Sequence, residues 1–89
     1  MALAFPNPSC DYDEQRRCVR FWGYDSAIEV LIIVEASALL KLKPELDQSK
    51  TGFLEAFRSV RETIEKAALR RHVRNAQGSY TYVLTDQDV

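Results

Sequence analysis

The chain has 89 residues, of which 46% are hydrophobic and 28% charged, and its formal net charge at pH 7 is −1. This length suits one domain and is too short for two, so a single domain over residues 1–89 is expected. A chain of this size buries roughly 60–70% of its unfolded surface, which supports a core without disulfides or metal. The small net charge excludes a strong overall attraction to nucleic acid or acidic membranes.

Residues 1–15 are predicted to form an extended lead-in. Two prolines within residues 6–9 restrict the backbone and remove hydrogen-bond donors. Leu3 and Phe5 could form a short edge strand before them, and the polar residues 11–15 are predicted to form a loop. Whether the edge strand forms is left open by the sequence.

Targeting and cysteine patterns favour a cytoplasmic location. The N-terminus lacks the basic and apolar regions of a secretion signal, and the longest apolar run, residues 30–34, is far below the ~20 residues that span a bilayer. Cys10 and Cys18 match neither a CxxC motif nor a disulfide scaffold. We therefore expect reduced thiols and no membrane contact.

A β-hairpin is predicted over residues 17–34. Aromatic and β-branched side chains alternate with other residues up to Tyr24, which is typical of a strand. Residues 23–26 have turn chemistry, and residues 27–34 read as the second strand.

Two helices and a last strand are predicted to follow. A short helix over residues 35–43 is rich in Ala and Leu and is stopped by Pro44. A long helix is predicted over residues 50–75, with its end marked by Asn75 and Gly78. Its apolar side chains recur at helical spacing, at Phe53, Phe57, Val60, Ile64 and Ala67. The last strand is predicted over residues 79–85.

These elements predict an α+β fold in two layers. A three- to four-stranded, mainly antiparallel sheet packs on one short and one long helix, in the order β-β-α-α-β, with an N-terminal strand as a possible addition. The last strand should run parallel to the second strand and antiparallel to the first. A spatial order of second, first, last would make the sheet wholly antiparallel.

The second strand is apolar on both faces, although a two-layer domain covers only one face of its sheet with helices. Leu31 and Ile33 lie on the face that should be polar, and Trp22 and Tyr24 of the first strand would share it. Either the N-terminal segment covers these four side chains or another chain does. They are the predicted interaction surface, and a homodimer is the favoured partner arrangement.

An alternative function is nucleic-acid binding through the basic end of the long helix. Arg70, Arg71 and Arg74 are the predicted phosphate contacts, with tyrosines nearby in sequence for stacking. Acidic residues such as Glu62 and Glu65 interrupt the basic stripe, and the sequence pI is near 5.8. A protein interaction is therefore favoured over nucleic acid.

No catalytic, cofactor or metal motif is found in the sequence. His72, the one histidine, stands in the last turn of the long helix, where the helix dipole favours cations. A general-base role would need a carboxylate or nucleophile near it, and the sequence marks none. Asp11, Asp13 and Glu14 lack the spacing of a calcium loop, so a solvated acidic loop is expected. The two cysteines are read as packing or surface thiols rather than a nucleophile with its resolving partner. A non-enzymatic protein without cofactors is predicted.

A family resemblance spans nearly the whole chain. The sequence carries, in order, Phe5-Pro6-Asn7-Pro8, Asp13, Val19-x-Phe21-x-Gly23-x-Asp25, Glu29-Val30, Ala38-Leu39, Phe53-Leu54-x-Ala56-Phe57, Ile64, Ala67-Ala68 and Ser79-Tyr80. This pattern resembles domain-of-unknown-function family 1488, a family of short proteobacterial proteins. The resemblance implies a small α+β fold with no established activity, cofactor or substrate. It also implies structural roles for the shared positions, with Gly23 and Asp25 as turn residues.

Overall fold

The structure, a computed structural model, describes residues 3–74 and 80–89. Its strands are β1 (Leu3–Ala4), β2 (Cys10–Asp13), β3 (Cys18–Asp25), β4 (Ile28–Glu35) and β5 (Thr81–Leu84). Its helices are α1 (Ala36–Leu42), α2 (Lys50–Ser59) and α3 (Arg61–Arg74). None of the helices in the described part of the chain is long and apolar enough to span a membrane.

The five strands form one open sheet. Its order is β1–β3–β4–β5, and β2 pairs with the same edge of β3 as β1 does, β2 with the first half of the strand and β1 with its end. All paired strands are antiparallel except β4 and β5, which are parallel. The predicted α+β class with a mainly antiparallel sheet is confirmed.

The sequence left the strand order open, and the structure does not have the order that would make the sheet wholly antiparallel. The last strand, β5, is parallel to β4 as expected, but it lies beside β4 and not beside β3. The reason is that β1 and β2 occupy the outer edge of β3, which leaves only the far edge of β4 for a further strand. The three helices form the long crossover that parallel neighbours require.

The lead-in contains more strand than the sequence suggested. Residues 11–15 were expected to form a loop, but the first part of this run belongs to β2. Tyr12 lies on the side of β2 that faces the helices, and its ring stacks on Phe53 with centroids 5.2 Å apart. Asp11, on the opposite side, pairs with Arg20. Inward and outward side chains alternate along β2, but the strand has only four residues and its outward side chains are acidic. In the sequence such a short, acidic segment resembles a loop.

The hairpin turn lies later than predicted. Asp25 pairs with Ile28, so the turn consists of Ser26 and Ala27, and Ser26 has a φ of 57°. Gly23 and Asp25 are therefore strand residues, and their expected role as turn residues is wrong. A two-residue connection is the common way to join antiparallel strands, and it often needs a positive φ.

Gly23 is needed for packing rather than for a turn. A Cβ atom at this position would lie 2.9 Å from the side chains of both Leu3 and Phe5 and 3.1 Å from the carbonyl oxygen of Ala4. Side chains of the N-terminal segment thus lie directly against the backbone of β3. A residue without a side chain permits this close approach.

The predicted long helix over residues 50–75 is two helices, because the chain breaks at Val60. Val60 has φ −117° and ψ 16°, and its N–H bonds the carbonyls of Ala56 and Phe57. A straight helix of that length would be about 39 Å long, whereas an eight-residue strand spans only about 27 Å. The break keeps both apolar stripes over the sheet. The predicted end at Asn75 and Gly78, and the start of the last strand at residue 79, lie outside the described residues.

All three helices pack on one face of the sheet, here called the inner face. The fully buried side chains of this core come from β3, β4, β5 and the helices, and the largest are Phe21, Phe53, Phe57, Ile32, Leu39, Ile64 and Leu84. The short helix was predicted over residues 35–43 and extends over Ala36–Leu42.

Candidate functional site

The outer face of the sheet, opposite the helices, carries a patch of large apolar side chains. Trp22 lies directly opposite Leu31, and Ile33 lies beside Val83 of β5. Tyr24 continues the row of Trp22 along β3. The strand register therefore brings all four sequence-predicted residues to the same face and adds Val83, which is 39% exposed.

The N-terminal segment does not cover this patch with its apolar side chains. Leu3 is 5% exposed and belongs to the inner core, and the ring of Phe5 packs against Phe21 with centroids 5.6 Å apart. Phe21 points to the inner face. Leu3 and Phe5 therefore do not shield the outer face, contrary to their part in the first of the two readings, because β1 extends the edge of the sheet.

Several polar groups on the outer face are bonded to one another. Arg20 donates from Nε to one oxygen of Asp11 at 2.8 Å and from Nη2 to the other at 3.3 Å. This hydrogen bond, with the negative charges of Asp11 and Asp13, raises the pKa of Arg20. Tyr24 donates its hydroxyl to Glu29 at 3.1 Å. Asp13 also accepts backbone N–H groups at the turn that follows, so the acidic residues organise the strand edge.

Two of the three arginines predicted to contact phosphates bind the C-terminal turn, which is formed by residues 85–89. Arg71 donates to the carbonyl of Val83 at 3.0 Å and to the carboxylate of Asp88 at 3.2 Å. Arg70 donates to the carbonyl of Asp88 at 3.1 Å. Arg74 is exposed in the last turn of α3. Nucleic-acid binding through these residues stays a prediction.

Asp88 is the centre of this turn. Its carboxylate accepts the backbone N–H of Thr85 at 2.8 Å, as in a capping box, and Lys41 of α1 donates to the main-chain oxygens of Asp86 and Val89. Partial burial acts to raise the pKa of Asp88, but the hydrogen bonds from Thr85 and Arg71 outweigh it and lower the pKa below its usual value. The turn thus fastens α1 to α3.

A second candidate site lies inside the domain, where Asp25, His72 and Tyr82 form what we call the buried triad. The His72 ring bonds Asp25 through Nε2 at 2.8 Å and the hydroxyl of Tyr82 through Nδ1 at 2.5 Å. Asp25 is 8% exposed and Tyr82 is 3% exposed. The sequence marked no carboxylate as a partner of His72, and the structure places Asp25 there.

The triad joins three elements that are distant in sequence, and this is why sequence reasoning missed it. Asp25 ends β3, His72 lies in the last turns of α3, and Tyr82 belongs to β5. One signal was present: the alternation that points Phe21 inward also points Asp25 inward. A carboxylate on a core face needs a hydrogen-bond partner, because a buried charge without one is costly.

The cysteines do not join this site. Cys10 pairs with Phe21 and faces inward, whereas Cys18 lies on the outward side of β3, so the two thiols are on opposite faces. Burial, together with the charge of Asp13, raises the pKa of Cys18. Cys18 and Asp25 are at opposite ends of an eight-residue strand, about 23 Å apart, so Cys18 and His72 are not a nucleophile and its base.

Comparison with known proteins identifies the family. The model of the family described as "Protein of unknown function (DUF1488)" matches residues 3–84. The chain is a member of the DUF1488 family. The resemblance drawn from the sequence pattern is confirmed. A crystal structure of a DUF1488 protein of unknown function from Shewanella loihica PV-4 is 18% identical and covers 89% of each chain, with a TM-score of 0.70. At this identity the likeness shows that the two share a fold. No curated protein matches the chain.

Proposed function

We propose that this DUF1488 protein is a non-catalytic interaction domain that self-associates through the outer face of its sheet. The observation that carries the proposal is the apolar patch of Trp22, Leu31, Ile33 and Val83 on the face opposite the helices. Contiguous apolar side chains rimmed by polar ones are typical of protein contact surfaces. Trp22 provides the aromatic anchor that interface centres favour.

The low net charge permits a second copy of this chain as the occupant. Two copies with a net charge of −1 each repel only weakly. Within one chain, Arg20 forms an ion pair with Asp11, and Glu29 accepts a hydrogen bond from Tyr24. Face-to-face packing of two copies around a twofold axis would therefore bury the apolar centre and leave these pairs at the rim.

The size of the face sets the expected affinity. With strands about 4.8 Å apart and a rise of about 3.4 Å per residue, β2 to β5 present roughly 400 Å² of projected area. This is about half of the ~800 Å² that each partner contributes to a standard interface. The dimer is therefore expected to dissociate in the micromolar range rather than to be permanent.

Sedimentation and tryptophan fluorescence test the proposal together. The chain has one tryptophan, Trp22, and it lies in the proposed interface. Raising the concentration from about 1 µM to about 1 mM should convert monomer to dimer in sedimentation equilibrium. The emission of Trp22 should shift to shorter wavelength over the same range, because the indole leaves water. A monomer over the whole range overturns the proposal.

Matched variants locate the contact. Val83→Glu and Ile33→Glu should each weaken association at least tenfold, because a charge would be buried at an apolar contact. Val73→Glu is the control, since Val73 is 83% exposed on α3, away from the sheet. The three variants should keep the far-ultraviolet circular dichroism of the parent. Equal association of all three would show that any dimer uses another surface, and would overturn this one.

A further inference from the structure

We propose that the buried triad is a latch, in which His72 fastens the end of α3 to β3 and β5 in both charge states of its ring and the ring charge sets the direction of the Tyr82 hydrogen bond. The latch is independent of self-association, because Asp25 and Tyr82 belong to the inner face and the proposed interface is the outer face.

The hydrogen-bond partners define the uncharged state of the latch. A carboxylate accepts hydrogen bonds and, when ionised, has none to donate. Since Nε2 of His72 lies 2.8 Å from the Asp25 oxygen, Nε2 carries the ring proton and donates it. Nδ1 is then the acceptor, and the Tyr82 hydroxyl, at 2.5 Å, donates to it. All three groups are satisfied in this arrangement.

Protonation of His72 reverses one of these bonds. A charged imidazole donates from both nitrogens, so Nδ1 becomes the donor to the Tyr82 oxygen, and the hydroxyl proton must turn to another acceptor. Nε2 still donates to Asp25, and this hydrogen bond now joins a charged donor to a charged acceptor. Acidification thus changes the hydrogen bonding of β5 without removing the fastening of α3.

Among the described residues, two titratable groups form hydrogen bonds with the ring. From β3 the facing group is Asp25, and from β5 it is Tyr82. On β4, Glu29 lies on the outer face, where it accepts from Tyr24. On α3 itself, the neighbouring Arg71 is directed to Val83 and Asp88. The direction of the hydrogen bond to Tyr82 therefore depends on the charges of His72 and Asp25.

Nuclear magnetic resonance can follow the two ring nitrogens of His72 without overlap, because His72 is the one histidine of the chain. In ¹⁵N-labelled protein at high pH, Nε2 should have the shift of a protonated nitrogen and Nδ1 that of an unprotonated one. On acidification Nδ1 should become protonated, while Nε2 should remain protonated. A ring protonated at Nδ1 at high pH, or a rapid mixture of both tautomers, overturns the assignment.

Hydrogen exchange tests the fastening. Tyr82→Phe leaves Nδ1 of His72 without its donor and should reduce the protection of backbone amides 71–74 about tenfold, the expected effect of one lost buried hydrogen bond. Tyr80→Phe is the matched control, since Tyr80 is 45% exposed, and should change these amides little. Unchanged protection in Tyr82→Phe, or an equal loss throughout α2, overturns a local latch.

Discussion

Arg61 at the start of α3 donates to the carbonyl of Asn7, which lies 54 positions earlier in the chain, at 2.9 Å. The same guanidinium donates to the carbonyl of Pro8 at 3.1 Å and pairs with Glu65 at 2.8 Å. Its plane also lies over the rings of two core phenylalanines, at 5.2 and 5.4 Å. One side chain thus connects the break between α2 and α3 to the N-terminal segment.

Arg61→Ala should lower the free energy of unfolding by about 2 kcal/mol, because several charge-assisted bonds and the contact with the rings are lost together. Arg61→Lys should recover only a small part, since an ammonium group cannot reproduce the fork of donors. The measurement is urea unfolding followed by circular dichroism. Arg58→Ala, at an exposed position of α2, is the control and should change stability by less than about 0.5 kcal/mol. Equal effects at both positions would contradict the role of Arg61.

Gly52→Ala should destabilise the protein by about 3 kcal/mol, although alanine is the better helix former by about 1 kcal/mol. A Cβ at this position would overlap the carbonyl oxygen of Asp47 and lie 2.6 Å from its carbon. The obstacle is backbone, so a rotamer change cannot relieve it. Thr51→Ala, one residue earlier and exposed, should be neutral or slightly stabilising in thermal unfolding. A stabilising Gly52→Ala would show that the loop before α2 yields easily.

Thiol labelling should distinguish the two cysteines. Cys18 is 2% exposed and burial raises its pKa, so the reactive thiolate is scarce at neutral pH, whereas Cys10 is half-buried. We expect one thiol to react quickly with a chromogenic disulfide reagent, and the other only after denaturant is added. Cys10→Ser should remove the fast phase and leave the slow one. A fast phase that survives in Cys10→Ser would contradict the buried position of Cys18.

Asp88→Asn should reduce stability by about 1 kcal/mol at pH 7, a modest figure because Arg71 is partly exposed. The folded protein lowers the pKa of Asp88, so its contribution is complete above the unfolded-state pKa of about 3.9 and is lost as the pH falls through the lower folded-state value. The stability difference from the parent should therefore shrink below about pH 4. Asp86→Asn is the control, because Lys41 contacts the main chain of Asp86. A difference that does not vary with pH would contradict the ionic role.

The local pattern of the chain determined the strands of the hairpin, the short helix, and the apolar stripes of α2 and α3. Alternation between Val19 and Val34 identified both faces of the sheet, including the apolar outer face. These features depend on spacing within a few residues, which the sequence states directly. The family pattern was also visible, since it is a property of sequence order.

Only the tertiary structure decided which strands are neighbours and which distant side chains are in contact. The order of β3, β4 and β5 depends on which edge β1 and β2 occupy, and the break at Val60 depends on the length of the sheet under the helices. The contact of Asp25 with His72 joins residues 47 positions apart, and no local spacing encodes it. Burial creates the need for such a partner, but the path of the backbone decides which side chain meets that need.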